Sequence, residues 1–110
     1  AEGLTLGRSF DLDPEQVLEA IGSGPLNAPL FQGKGRAILS GDFTKQFPVD
    51  LLFKDLDLVT EAAGQAGVPL PQTAATREMV SAARGLGLGD EDMAAVIKVL
   101  GSLSGEKADG

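Results

Sequence analysis

The chain predicts an all-α protein, a compact bundle of five to six helices joined by short loops. Three observations predict it. Apolar residues recur at helical spacing in several windows, most clearly over residues 14–21 and 49–63. No segment alternates apolar and polar residues with β-branched enrichment, as a half-buried strand would. Fifteen glycines and six prolines in 110 residues supply frequent breaks, so the elements are short.

The elements follow in order. "AEGLTLGRSFDL" carries Leu4, Leu6 and Phe10 and gives a weak helical signal, suited to the tail of a helix that begins upstream. In "DLDPEQVLEAIGSG", Asp13 is a good N-cap, Pro14 fits the first helical position and Glu15 complements the positive end of the helix. Val17, Leu18 and Ile21 form its apolar stripe, and Gly22-Ser23-Gly24-Pro25 stops it. Asn27 is placed to cap a third helix over residues 28–39, with Pro29 in its first turn. Gly33 and Gly35 weaken that helix by about 1 kcal/mol each relative to Ala. Ser40-Gly41-Asp42 is a turn, and a loop with Lys45 leads to the longest pattern, from Pro48 to about Ala66, closed by Gly67. After the rigid connector Val68-Pro69-Leu70-Pro71, a fifth helix runs to Arg84 with Met79 and Val80 among its apolar residues. "GLGLGDEDM" turns the chain, Asp90 is expected to cap a last helix from Glu91 to about Leu103, and "SGEKADG" is expected to fray. The domain is therefore drawn over residues 1–103, with a flexible tail at 104–110.

Composition excludes several chemistries. A chain that is 43% hydrophobic and 23% charged is globular and long enough for one modest core. It has no His and no Cys, so a zinc site of the usual kind is not expected, and neither a Ser-His-Asp nor a Cys-His nucleophile system can be built. The carboxylates Asp11, Asp13 and Glu15 lack the Gly and the terminal Glu of a calcium loop. A net charge of −7 argues against a nucleic-acid backbone and against an anionic membrane surface as partners. No apolar run approaches the roughly 20 residues that span a bilayer. The opening "AEGLTLGRSF" has no basic region followed by an apolar one, as a signal peptide has. It starts without Met and reads as the middle of an element, which suggests a piece of a longer chain.

The helix "FPVDLLFKDLDLV" carries the main functional question. At about 100° per residue, Val49, Leu52, Phe53, Leu56, Val59 and Ala63 share one broad arc, the expected core face. Asp50 and Lys54 form an i,i+4 pair of favourable polarity, worth about 0.2–0.5 kcal/mol. Leu51, Leu58 and Ala62 make a second apolar stripe nearly opposite the first, extended by Phe47 if the helix reaches that far. A helix apolar on two sides is usually buried on two sides. Lys54 and Asp55 flank that second stripe. They are either an ordinary solvated pair or charges at the rim of a cleft against another domain or subunit, with Phe47 about 12 Å away along the axis.

Two other motifs invite chemistry. "GKGR", residues 33–36, could hold a phosphate as a small anion-binding loop, but a loosened helix with solvated side chains explains it more simply. "GLGLGD", residues 85–90, looks like a dinucleotide fingerprint, yet its spacing is wrong and no strand precedes it. Helix termination followed by an N-cap accounts for it.

The ordered set "LDPEQVLEAIGSG", "GDF" and "FPVDLLFKDLDLVTEAAGQAGVPLPQTAATREMVSAARGLGLGDEDMAAVIKVL" resembles the C-terminal helical domain of the β-hydroxyacid dehydrogenases. These 6-phosphogluconate-dehydrogenase-like enzymes include 3-hydroxyisobutyrate dehydrogenase and 2-hydroxy-3-oxopropionate reductase. The resemblance implies an NAD or NADP cofactor held by an N-terminal Rossmann domain that is absent from this chain. It places the catalytic Lys upstream, so no catalytic residue is expected here, and no cofactor is expected on this piece alone. It matches Phe47, Lys54 and Asp55 to positions facing the nicotinamide end of the cofactor and the substrate cleft. "KQFPVD" departs from the commoner Pro-Gly-Phe-Ala form, with Pro48 at the helix start.

The expected partners are therefore the missing Rossmann domain, a small 3-hydroxy acid and a second copy in a homo-oligomer. The expected compartment is the cytoplasm or an organelle matrix. A different class remains open from the residues themselves: a free-standing acidic helical module that binds a partner helix through the second stripe.

Overall fold

Local sequence signals set most helix boundaries in the computed structural model, which describes residues 1–105. Helix α1 spans Glu2–Ser9. Helix α2 spans Pro14–Gly22, with the Asp13 carboxylate accepting from the Glu15 N–H at 3.0 Å. Helix α3 spans Pro29–Ser40, α4 Val49–Ala66 and α5 Pro71–Gly85. A short 3₁₀ turn over Met93–Ala95 leads into α6, Val96–Leu103. No strand is formed among the described residues, so the all-α expectation holds. From residue 106 onward the expected tail lies outside the described residues.

The helices form a chain of neighbours: α1 packs on α2 and α6, α2 on α3, α4 on α5, and α5 on α6. Val49, Val80, Ala83, Ala95 and Val99 make the central core, with Leu52, Phe53 and Leu56 of α4 packed against it. That is the expected main face of α4, with one exception. Val59 is half exposed, because α5 covers the arc centred on Leu52 and Leu56 and leaves its far edge open. Leu56 is only partly buried, so Leu56→Ala is expected to lose about 2 kcal/mol in a denaturant titration, the low end of the range for such truncations. A loss below about 0.5 kcal/mol would show that α4 does not rest on that side chain.

Three local signals read differently in three dimensions. Asn27 does not cap α3. Its Oδ1 accepts from Gln32 Nε2 at 3.1 Å, and Ala28 occupies the cap position without a side-chain bond. Asp90 does not cap the last helix. Asp92 does, accepting from the Ala94 N–H at 3.0 Å, so the last helical segment begins two residues later than expected. Asp50 does not pair with Lys54. It accepts from Arg84 Nε at 2.8 Å across the α4–α5 interface, where a planar guanidinium gives a more directional partner than a flexible lysine one turn away.

Phe53 explains why Arg84 sits there. The guanidiniums of Arg77 and Arg84 lie 4.8 and 4.3 Å from its ring centroid, each contact worth about 0.5–1 kcal/mol. Asp57 holds Arg77 Nε at 2.6 Å and Asp50 holds Arg84, which fixes both cations in place.

Candidate functional site

The start of α4 is built by two segments that lie far apart in sequence. Residues 43–50 run beside residues 89–93 and exchange four backbone hydrogen bonds. The Asp92 N–H donates to Phe43 O (3.0 Å), Met93 N–H to Phe47 O (2.9 Å), Val49 N–H to Glu91 O (2.9 Å) and Asp50 N–H to Gly89 O (2.9 Å). Gly89 leaves room for the Asp50 carboxylate beside it. A Cβ there would come within 2.6 Å of both Asp50 carboxylate oxygens. The "GLGLGD" turn therefore does more than end a helix: it docks against the first turn of α4.

Asp92 is the centre of this arrangement. It is 2% exposed. Its Oδ1 accepts from the Gln46 and Phe47 N–H groups at 3.1 Å each, and its Oδ2 from the Ala94 N–H at 3.0 Å. Lys34 Nζ reaches both oxygens at 2.9 Å from α3. Burial pushes the Asp92 carboxyl up, but the Ala94 and Phe47 N–H groups, Lys34 and the Gln46 N–H together outweigh it, lowering its pKa from 3.8 to about 2. The stabilisation is thus fully present above about pH 4 and is lost as pH falls through about 2. The expected size is about 2 kcal/mol. Unfolding free energy measured from pH 5 to 2 should show this loss in the wild-type chain and lack it in Asp92→Ala.

These contacts also settle "GKGR". Residues 33–36 lie inside the continuous helix α3, not in a loop. Lys34 is committed to Asp92 and Arg36 to Glu15, so the two cations already have carboxylate partners.

Of the three residues matched to the cleft, the structure places two on one face of α4 and the third just before that helix. Leu51, Lys54, Asp55 and Leu58 stand at i, i+3, i+4 and i+7 on α4 and are all exposed, with Leu51 at 41% and Leu58 at 55%. Phe47 lies just before the N-cap Pro48 and is half-buried. It is outside the helix, because Pro48 and the Asp92 contacts start α4 at Val49. Neither Lys54 nor Asp55 has a side-chain partner among the described residues, whereas every other described Lys or Arg does. Asp55 is exposed, so its carboxylate stays in water within this chain despite its apolar flanks. The second stripe is likewise uncovered here. A cation between two exposed leucines offers an anionic or amide-bearing ligand a charge and apolar shoulders.

Comparison with known proteins places this architecture. The family model for the NAD-binding region of NADP-dependent 3-hydroxyisobutyrate dehydrogenase matches residues 1–100. The chain belongs to the β-hydroxyacid dehydrogenase family. It is 41% identical to 2-(hydroxymethyl)glutarate dehydrogenase of Eubacterium barkeri over all of this chain and 37% of that protein. It is 32% identical to the chloroplastic glyoxylate/succinic semialdehyde reductase 2 of Arabidopsis thaliana, over 98% of this chain and 30% of that one. The crystal structure of 3-hydroxyisobutyrate dehydrogenase from Salmonella typhimurium superposes with a TM-score of 0.85 at 28% identity, covering 89% of this chain and 34% of that one. The chain thus spans about a third of the length of these relatives. No helix among the described residues is long and apolar enough to cross a membrane.

The residue that sequence reasoning missed is Asp92. "GDEDM" offers three consecutive acids, and any of them could cap a helix. No local signal separates Asp92 from the two acids before it. Nothing local announces Lys34 as its partner.

Proposed function

We propose that this chain is the helical substrate-cleft and oligomerisation domain of an NAD(P)-dependent dehydrogenase or reductase acting on a short 3-hydroxy acid. The observation that carries the reading is Lys54: alone among the described Lys and Arg side chains it has no partner, and it stands between exposed Leu51 and Leu58 on the outward face of α4. Family membership over residues 1–100 supplies the chemistry that such a face would serve. The second stripe of α4 then lies against a nucleotide-binding domain elsewhere in the full-length protein.

When bound, the nicotinamide cofactor supplies or accepts a hydride at the carbon that carries the β-hydroxyl. The general acid/base, a lysine, belongs to the part of the protein before this chain. Lys54 and Asp55 would contribute charge at the cleft rim, with Lys54 steering the anionic substrate or cofactor. Leu51, Leu58 and Phe47 would exclude water and define the wall against which the reactants are oriented. This chain by itself is then inactive, and a steady NADP-dependent oxidation of 3-hydroxyisobutyrate by the purified chain would overturn that expectation.

The test uses the full-length enzyme. Lys54→Ala and Asp55→Ala should each lower kcat/KM by about ten-fold or more while leaving the thermal midpoint within a few degrees, because both side chains are exposed and unpartnered. Unchanged kinetics in both variants would remove these residues from the cleft.

A further inference from the structure

Phe47 is the one cleft candidate that no helix carries. It precedes Pro48, outside α4, and its position depends on what holds its backbone. Both of its backbone polar groups end on the same short segment. Its N–H donates to Asp92 Oδ1 at 3.1 Å, and its C=O accepts from the Met93 N–H at 2.9 Å. The preceding Gln46 N–H shares that Oδ1 at 3.1 Å. Asp92 is itself immobilised: it is 2% exposed, caps the 3₁₀ turn through Ala94 and is gripped on both oxygens by Lys34. A buried carboxylate with four donors has one orientation available. A backbone hung from it inherits that orientation.

We propose that Asp92 is a positioning residue for the cleft, holding Phe47 at the foot of the outward α4 face so that its ring meets the reactants. This rests on the cleft reading of Phe47. It adds a residue that touches neither cofactor nor substrate and lies 45 positions along the chain. The arrangement separates two functions within one side chain. Oδ2 serves the fold, through the cap on Ala94. Oδ1 serves the site, through the N–H groups of Gln46 and Phe47.

The division makes the role testable apart from stability. In the full-length enzyme, with NADP and 3-hydroxyisobutyrate, four variants are compared: Phe47→Ala, Asp92→Asn, Asp92→Ser and Lys34→Gln. Ser is a good cap and keeps the helix start, but it is too short to serve Gln46 and Phe47 as well, whereas Asn keeps an acceptor oxygen for them. Lys34→Gln breaks the same ion pair yet leaves Asp92 its three backbone donors. The expected result is a rise in KM of about ten-fold for Asp92→Ser, in the same parameter that Phe47→Ala alters, and a smaller change for Asp92→Asn, whose amide oxygen can still accept from Gln46 and Phe47. Lys34→Gln should stay within about two-fold of wild type. Asp92→Ser combined with Phe47→Ala should be no worse than Phe47→Ala alone, since one acts through the other. If Phe47→Ala changes the kinetics while Asp92→Ser matches Lys34→Gln, the positioning role is overturned and the cleft reading stands. If the double variant shows independent losses, Asp92 acts by another route and the proposal fails. If Phe47→Ala itself has no kinetic effect, both readings fall together.

Discussion

Asp92→Ala is expected to remove about 3–5 kcal/mol of folding stability. Three backbone donors, at Gln46, Phe47 and Ala94, lose their acceptor. Lys34 loses its counter-charge while its side chain remains only 19% exposed. Each unsatisfied, partly buried donor carries a desolvation penalty, and so does a half-buried cation left with only the 3.5 Å contact to Gln46 Oε1. The loss should therefore exceed that of any exposed pair in the chain, such as Lys45 with Asp90, whose removal is expected to change stability by less than about 1 kcal/mol. Urea unfolding of this chain followed by helical circular dichroism measures both. Lys34→Met alone should be milder, because Asp92 keeps three backbone donors. In combination with Asp92→Ala it should recover part of the loss, since no half-buried cation is then left without its counter-charge. A cost for Asp92→Ala of under about 1 kcal/mol would mean that water replaces the carboxylate and that this contact does not pin the two segments.

Gly35→Val is expected to destabilise the chain by about 2–3 kcal/mol, while Gly33→Ala stabilises it by up to about 1 kcal/mol. The two glycines stand one residue apart around Lys34 in α3, yet they face different surroundings. A Cβ at Gly33 meets nothing within 4 Å, so alanine gains helix propensity without a clash. A Cβ at Gly35 falls 2.5 Å from Leu18 Cδ1, 3.0 Å from Cδ2 and 3.3 Å from Cγ. Leu18 is 2% exposed and cannot swing into solvent. The added methyls of valine must push α2 and α3 apart. Even Gly35→Ala should lose stability, by about 1 kcal/mol, because the overlap outweighs the propensity gain. Thermal midpoints of the three variants, measured side by side, decide it. Equal stabilisation by alanine at both positions would show that α2 and α3 do not pack through Gly35.

This pair shows where local reading ends. Both glycines count equally as weak helix formers, and the helix forms around both. The outcome of substitution is set by Leu18, on another helix. The candidate site divides in the same way. The face of α4 that holds Leu51, Lys54, Asp55 and Leu58 follows from spacing, because a helix of 3.6 residues per turn puts i, i+3, i+4 and i+7 together. Phe47 was matched to the site, but its anchoring was not legible, since Asp92 is one of three adjacent acids and its partners come from residues 34, 46, 47 and 94. The Asp50–Lys54 pair was legible and did not form, because Arg84 arrives from α5.

From the order of residues alone came the helical class, most helix boundaries and the two-sided character of α4, because these depend on caps, breakers and periodicity within a few residues. Contact between distant segments decided the rest: which acid is buried, which of the described cations stays unpaired and which glycine faces a neighbouring side chain. Those choices depend on which surfaces meet, and that is a property of the packed chain that no short window contains.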